Sequence, residues 1–165
     1  MKFINALLIM AAVSLATAAT AQKLLPDVSV KSLEGQSVEA RSLAVPGKTT
    51  IISFWATWCS PCKKELDAVS EVYEEWQKKY NIELVAVSID DARSVPKVKP
   101  MVEQKLWDFR VVIDSNKDLM NALNIQNVPY TVLLDAKGNI VWTHSGYIPG
   151  DEAELEKEIA KLTTN

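Results

Sequence analysis

The chain holds two cysteines, Cys59 and Cys62, with two residues between them. Thiols at that spacing can cycle between a dithiol and a disulfide, and the chain offers them no other cysteine to pair with. The loop such a bond closes is so short that it restrains the unfolded chain little, so stabilisation is a poor reason for it. Cys59 stands just before Pro61 and a run with helical spacing, at the N-terminus of the helix that run predicts. There the unpaired backbone N–H groups and the helix macrodipole favour a thiolate, lowering the pKa below the ~8.5 of a free cysteine. Cys59 is the expected nucleophile, and Cys62, one turn in, the shielded second thiol. In that division of labour Cys59 attacks a disulfide, a mixed disulfide forms, and Cys62 attacks Cys59 to release the reduced partner; the reverse order oxidises a dithiol. The release step needs a deprotonated Cys62, which burial opposes. Glu65 lies three residues on, near the same helix face. Spacing alone leaves two roles open for it: proton acceptor for Cys62, or solvated acid beside Lys63 and Lys64.

The elements that must position this pair are readable on both sides of it. Thr49 to Phe54 is β-branched and apolar, follows Pro46-Gly47, and suits a central strand covered on both faces. Cys62, Leu66, Val69, Tyr73, Trp76 and Tyr80 recur every three or four residues and predict one buried helical stripe, with Tyr73 and Trp76 as packing. Ile82 to Ile89 is a second strand, Pro96 to Lys105 a helix and Arg110 to Ile113 a third strand, together a βαβ crossover. A short helix is expected over Asn116 to Leu123. Thr131 to Leu134 and Ile140 to Thr143 flank the hairpin turn Asp135-Ala136-Lys137-Gly138. Asp151 with Glu154 predicts the cap of a last helix whose Leu155, Ile159 and Leu162 face inward. At the front, Val28 to Val30 and Ser37 to Glu39 surround Glu34-Gly35 as an edge hairpin. The class is α/β: a central mixed sheet flanked by helices, with an N-terminal β-hairpin and an inserted βαβ-type segment.

Residues 1–21 read as a signal peptide: Lys2, an apolar run from Phe3 to Ala18, then Ala19-Thr20-Ala21 in the form a signal peptidase accepts. The run is shorter than the ~20 apolar residues of a spanning helix, and no cysteine sits by the cut to carry a lipid. Export is expected, with a soluble domain over residues 22–165. The net charge is -3, and losing Lys2 makes it -4, which disfavours nucleic acid as a partner.

The junction Phe54-Trp55-Ala56-Thr57-Trp58-Cys59-Ser60-Pro61-Cys62-Lys63-Lys64-Glu65, the Val128-Pro129 step before a strand, and Gly146 after the last strand together resemble the thioredoxin superfamily. Within it, the junction, the front hairpin and the segment between Ile89 and Arg110 are similar to the TlpA/ResA-like exported reductases, over nearly all of Leu25 to Leu162. The resemblance implies a thioredoxin fold, a cis Pro129 packed near the cysteines, and a substrate surface from Trp58, Ser60, Pro61, Val128 and Pro129. It also implies a functional acid at Glu65. Many thioredoxins carry a buried Asp where this chain has Ser53, which cannot act as a base, so more weight falls on Glu65.

Ser60-Pro61 places no cation beside Cys59, and the expected direction is reduction of disulfides in other exported proteins. A periplasmic monomer is expected, and the resemblance implies a membrane electron donor that recharges it, with apocytochrome c as one candidate client. No metal or organic cofactor is expected. Other readings are a disulfide-forming oxidase of the same fold, a copper carrier using Cys59, Cys62 and His144, and a non-catalytic binding module. Thiol peroxidase chemistry is disfavoured, because peroxide attack does not need the adjacent thiol.

Overall fold

The computed structural model describes residues 23–163, and the expected leader, residues 1–21, lies outside them. The chain opens with a hairpin of β1 (Ser29–Ser32) and β2 (Ser37–Glu39), turned at Gly35, whose φ of 82° suits a residue without Cβ. Next comes β3 (Thr49–Trp55), buried along its whole length, which is why it carries no polar face. It is followed by α1 (Ser60–Tyr80), β4 (Ile82–Ser88), α2 (Val98–Lys105), β5 (Arg110–Ile113), α3 (Asp118–Ala122), β6 (Tyr130–Leu134), β7 (Ile140–Ser145) and α4 (Asp151–Thr163). The strands form one mixed sheet in the order β2-β1-β5-β4-β3-β6-β7. β3, β4 and β5 are parallel, whereas β6 and β7 on one side, and β1 and β2 on the other, pair antiparallel. This is the thioredoxin-like arrangement expected, with the βαβ crossover from β4 through α2 to β5.

Side chains alternate along β3, so Ile51 and Ser53 face one way and Ile52 and Phe54 the other. Ile51 joins Leu84 and Leu133 under Val69, Tyr73 and Trp76 of α1 and Leu155 and Ile159 of α4. Ile52 and Phe54 join Val85, Val132 and Leu134 in the larger cluster, which reaches Leu43 and Leu119 and takes in both cysteines. α1 ends at Asn81, whose left-handed φ of 51° closes the helix through its N–H to the Gln77 carbonyl. Among the described residues, no helix is long and apolar enough to cross a membrane.

Three local expectations are corrected. The segment from Pro96 begins as a 3-10 turn, Val95–Lys97, and becomes α-helical only at Val98. Pro100 has no N–H to give the Pro96 carbonyl, so the α pattern cannot start there. The helix expected from Asn116 starts at Asp118, because Lys117 is left-handed, with φ 62°. Asp151 and Glu154 make no capping box: the Asp151 carboxylate instead accepts the Ile148 N–H at 2.8 Å and meets His144, while Glu152 accepts the Gly150 N–H.

Candidate active site

The end of β3 delivers the chain into a tight turn, where the Cys59 N–H bonds the Ala56 carbonyl at 3.0 Å. Cys59 is the N-cap of α1, and its Sγ accepts the Cys62 N–H at 3.3 Å. Pro61 sits in the first turn, where its missing N–H leaves nothing unsatisfied. The two cysteines are joined in a disulfide, Cα–Cα 5.3 Å. Once that bond opens, the N–H aimed at Cys59 Sγ remains as a donor to a thiolate. Cys62 is fully buried and Cys59 nearly so, while Trp58 beside them is 62% exposed and Ser60 and Pro61 are exposed.

Asp90, just past β4, clamps this turn. Its carboxylate accepts the Thr57 N–H at 2.8 Å, the Thr57 hydroxyl at 2.6 Å and the Ser88 hydroxyl at 2.8 Å. Lys63 closes the turn from the helix side by donating to the Thr57 carbonyl at 3.1 Å. The residue before Trp58 is thus held through both its peptide groups and its side chain.

Glu65 is on the buried face of α1, 6% exposed. Its two carboxylate oxygens accept the Ser53 hydroxyl of β3 at 3.2 Å and the Thr131 hydroxyl of β6 at 2.6 Å. Burial pushes the Glu65 carboxyl above the usual carboxylate value of 4.5, against the two hydroxyl bonds, and nearby His144 and Asp151 act in opposite senses. A group so placed can hold a proton nearer neutrality than an exposed glutamate.

The register that pairs Phe54 with Tyr130 brings the start of β6 alongside the end of β3. The Val128–Pro129 bond just before it is cis. Val128 packs on the cluster that contains both cysteines, and the Pro129 carbonyl accepts the Gly146 N–H at 2.9 Å. The cysteine turn, Glu65 and the Val128-Pro129 step therefore come together at the carboxyl end of β3. His144 does not join the cysteines: its Nε2 meets the Asp151 carboxylate at 3.2 Å and its ring stacks on Trp142.

Spacing reasoning missed Thr131 and Asp90, and saw in Ser53 only a residue that is not a base. A signal for each was present. Thr131 is a polar residue in the apolar run of β6, Ser53 in that of β3, and Ser88 and Asp90 end the apolar run of β4 with two hydrogen-bonding side chains. A polar residue in a fully buried strand demands a partner.

Residues 21–143 match the model of the AhpC/TSA family. A thiol-disulfide oxidoreductase, ResA, of Halalkalibacterium halodurans is 31% identical over 132 residues, 80% of this chain and 72% of that protein. The chain belongs to the AhpC/TSA family and is a thiol-disulfide oxidoreductase. Among solved structures similar to this family member is an uncharacterized thioredoxin-like protein from Porphyromonas gingivalis. It shares 44% identity at a TM-score of 0.77, over 85% of this chain and 92% of the other. StoA from Bacillus subtilis superposes with a TM-score of 0.62 at 30% identity, over 82% of this chain and 99% of its own. The chain's two cysteines are Cys59 and Cys62.

Proposed function

We propose that this oxidoreductase is exported, loses residues 1–21, and as a monomeric periplasmic domain reduces disulfides in other exported proteins. Cys59 attacks a client disulfide, and Cys62 then displaces the client thiolate by attacking Cys59. Glu65 accepts the Cys62 proton before that attack and returns one when an electron donor at the membrane reopens the Cys59–Cys62 bond. Trp58, Ser60, Pro61, Val128 and Pro129 form the surface on which the client lies. Its backbone adds to the strand edge at Val128.

The observation that carries this reading is the stacking of three groups on one helix. Cys59 caps it, Cys62 is buried one turn behind, and the buried acid Glu65 lies one turn further. Exposed Trp58 beside a nearly buried Cys59 supports contact with a macromolecule rather than with a small thiol. The test is the reduction potential of the pair against a dithiothreitol series, with a Cys62→Ser variant used to trap client mixed disulfides in an extract of exported proteins. A potential toward about -270 mV, with clients captured on Cys59, is expected; a potential toward about -120 mV would reverse the direction and favour the oxidase reading.

A further inference from the structure

Behind Glu65 lies a small cavity of about 10 Å³, lined by Glu65, Thr131, Trp142, His144, Tyr147 and Asp151 among others. That volume is at the lower limit for one water, and the lining supplies the polar partners a water needs. The placement follows from the sheet register. Thr131 and His144 are cross-strand partners on β6 and β7, so they share a face, and Thr131 already bonds Glu65. On the far side His144 is partly exposed, as is Asp151.

The chemistry of the His144–Asp151 contact is directional. An ionised carboxylate only accepts, so Nε2 must carry the hydrogen toward Asp151. In the neutral ring that leaves Nδ1 unprotonated and able to take a proton. We propose that His144, held in this tautomer by Asp151, is the outlet through which the proton on Glu65 reaches solvent, by way of a water in the shared cavity. The inference rests on the reading of Glu65 as the proton partner of Cys62 and names the route that reading leaves open.

The balance is simple. Cys62 loses its proton to the Glu65 carboxylate, and the Cys62 thiolate forms the bond to Cys59 Sγ. The Cys59–client bond breaks with its electron pair on the client sulfur. The Glu65 carboxylic acid then yields its proton to His144, and the imidazolium passes it to bulk water. When the disulfide is reduced the same steps run backwards, ending with a proton on the departing Cys62 thiolate. The titratable groups facing the cavity are Glu65 from α1, His144 from β7, Tyr147 from the following loop, and Asp151 and Glu152 from α4. Tyr147 is occupied as a donor to Glu152 at 3.0 Å, and its phenol is pushed up to about 12 by burial and that contact, so it takes no part.

The decisive variant is His144→Gln, which can still donate to Asp151 but cannot carry a proton. The rate of thionitrobenzoate release from its mixed disulfide with Cys59 is followed by rapid mixing in dilute buffer over about pH 5–9, with and without added imidazole. His144→Gln should slow release by roughly tenfold, imidazole should restore it, and the effect should vanish in a Glu65→Gln background. A slowed variant that imidazole does not rescue would make His144 a structural tie between β7 and α4 and overturn the relay. Wild-type rates in His144→Gln, with Glu65→Gln still slow, would also overturn it while leaving the role of Glu65 standing. Wild-type rates in Glu65→Gln would remove both. Asp151→Asn, which no longer dictates the tautomer, should show a weaker form of the same imidazole-rescued loss; an unchanged rate there would count against Asp151 as the holder of the ring.

Discussion

Two buried carboxylates flank the cysteine turn, and they are held in opposite ways. Asp90 accepts three hydrogen bonds, one of them from a backbone N–H and two from hydroxyls. Glu65 accepts two, both from hydroxyls. A backbone N–H can only donate, so the Thr57 N–H needs a permanent acceptor in Asp90. A hydroxyl can turn and accept, so Glu65 can become neutral without orphaning its partners. The Asp90 site gives a fixed loop, whereas the Glu65 site, whose partners can reverse, tolerates either protonation state. The number of bonds to a buried acid tells less than whether its partners can reverse.

That contrast can be broken from the Asp90 side first. Asp90→Ala leaves the Thr57 N–H and two hydroxyls without their acceptor, and should destabilise the oxidised protein by about 3–5 kcal/mol in urea unfolding. Loss of under about 1 kcal/mol would mean that the clamp is dispensable and the comparison false. Glu65→Gln should do the reverse. Client release should slow by about 10- to 100-fold in stopped-flow assays, while stability at neutral pH is kept or improved.

The sign of that stability change follows from linkage. The folded-state value of Glu65 is raised, so its favourable contribution is present below the ordinary carboxylate value of 4.5 and is lost as pH rises through the raised value. Glu65→Gln should therefore be the more stable protein above that window, with the gap closing as pH falls toward 4.5. A gap that widens on acidification would contradict a raised value. The smallest effect is expected from Thr131→Val. Removing the shorter of the two hydroxyl bonds should move the Glu65 titration further upward, read by carbon-13 NMR of the carboxyl.

The same two acids show which contacts are legible in the sequence. Cys59, Cys62 and Glu65 were legible because one helix carries all three, and helical spacing is a local property. The strands around them were legible for the same reason, to within a residue or two of β3, β5 and β6. The partners of the acids were not, since Thr57 meets Asp90 across two strands and Thr131 meets Glu65 through the β3–β6 register. His144 drew notice as a candidate copper ligand, yet its partner sits seven residues on, across the turn into α4. Pattern within an element shows which face is inward; it does not say which polar residues two elements will present to each other.

The pairing of β6 with β3 also bears on how the protein matures. Thr131 stands 66 positions beyond Glu65, so the second hydroxyl joins the acid only through a contact distant in sequence. Contacts so distant in sequence close late, since loop entropy must be overcome before they form. A chain with α1 folded but β6 undocked would already present Cys59 as a helix cap, yet Glu65 would lie in water as an ordinary acid. On the proposed role of Glu65, such a chain would capture a partner but release it poorly, so turnover would begin only with the completed sheet, and a nascent or damaged molecule would be marked by the partner it fails to let go.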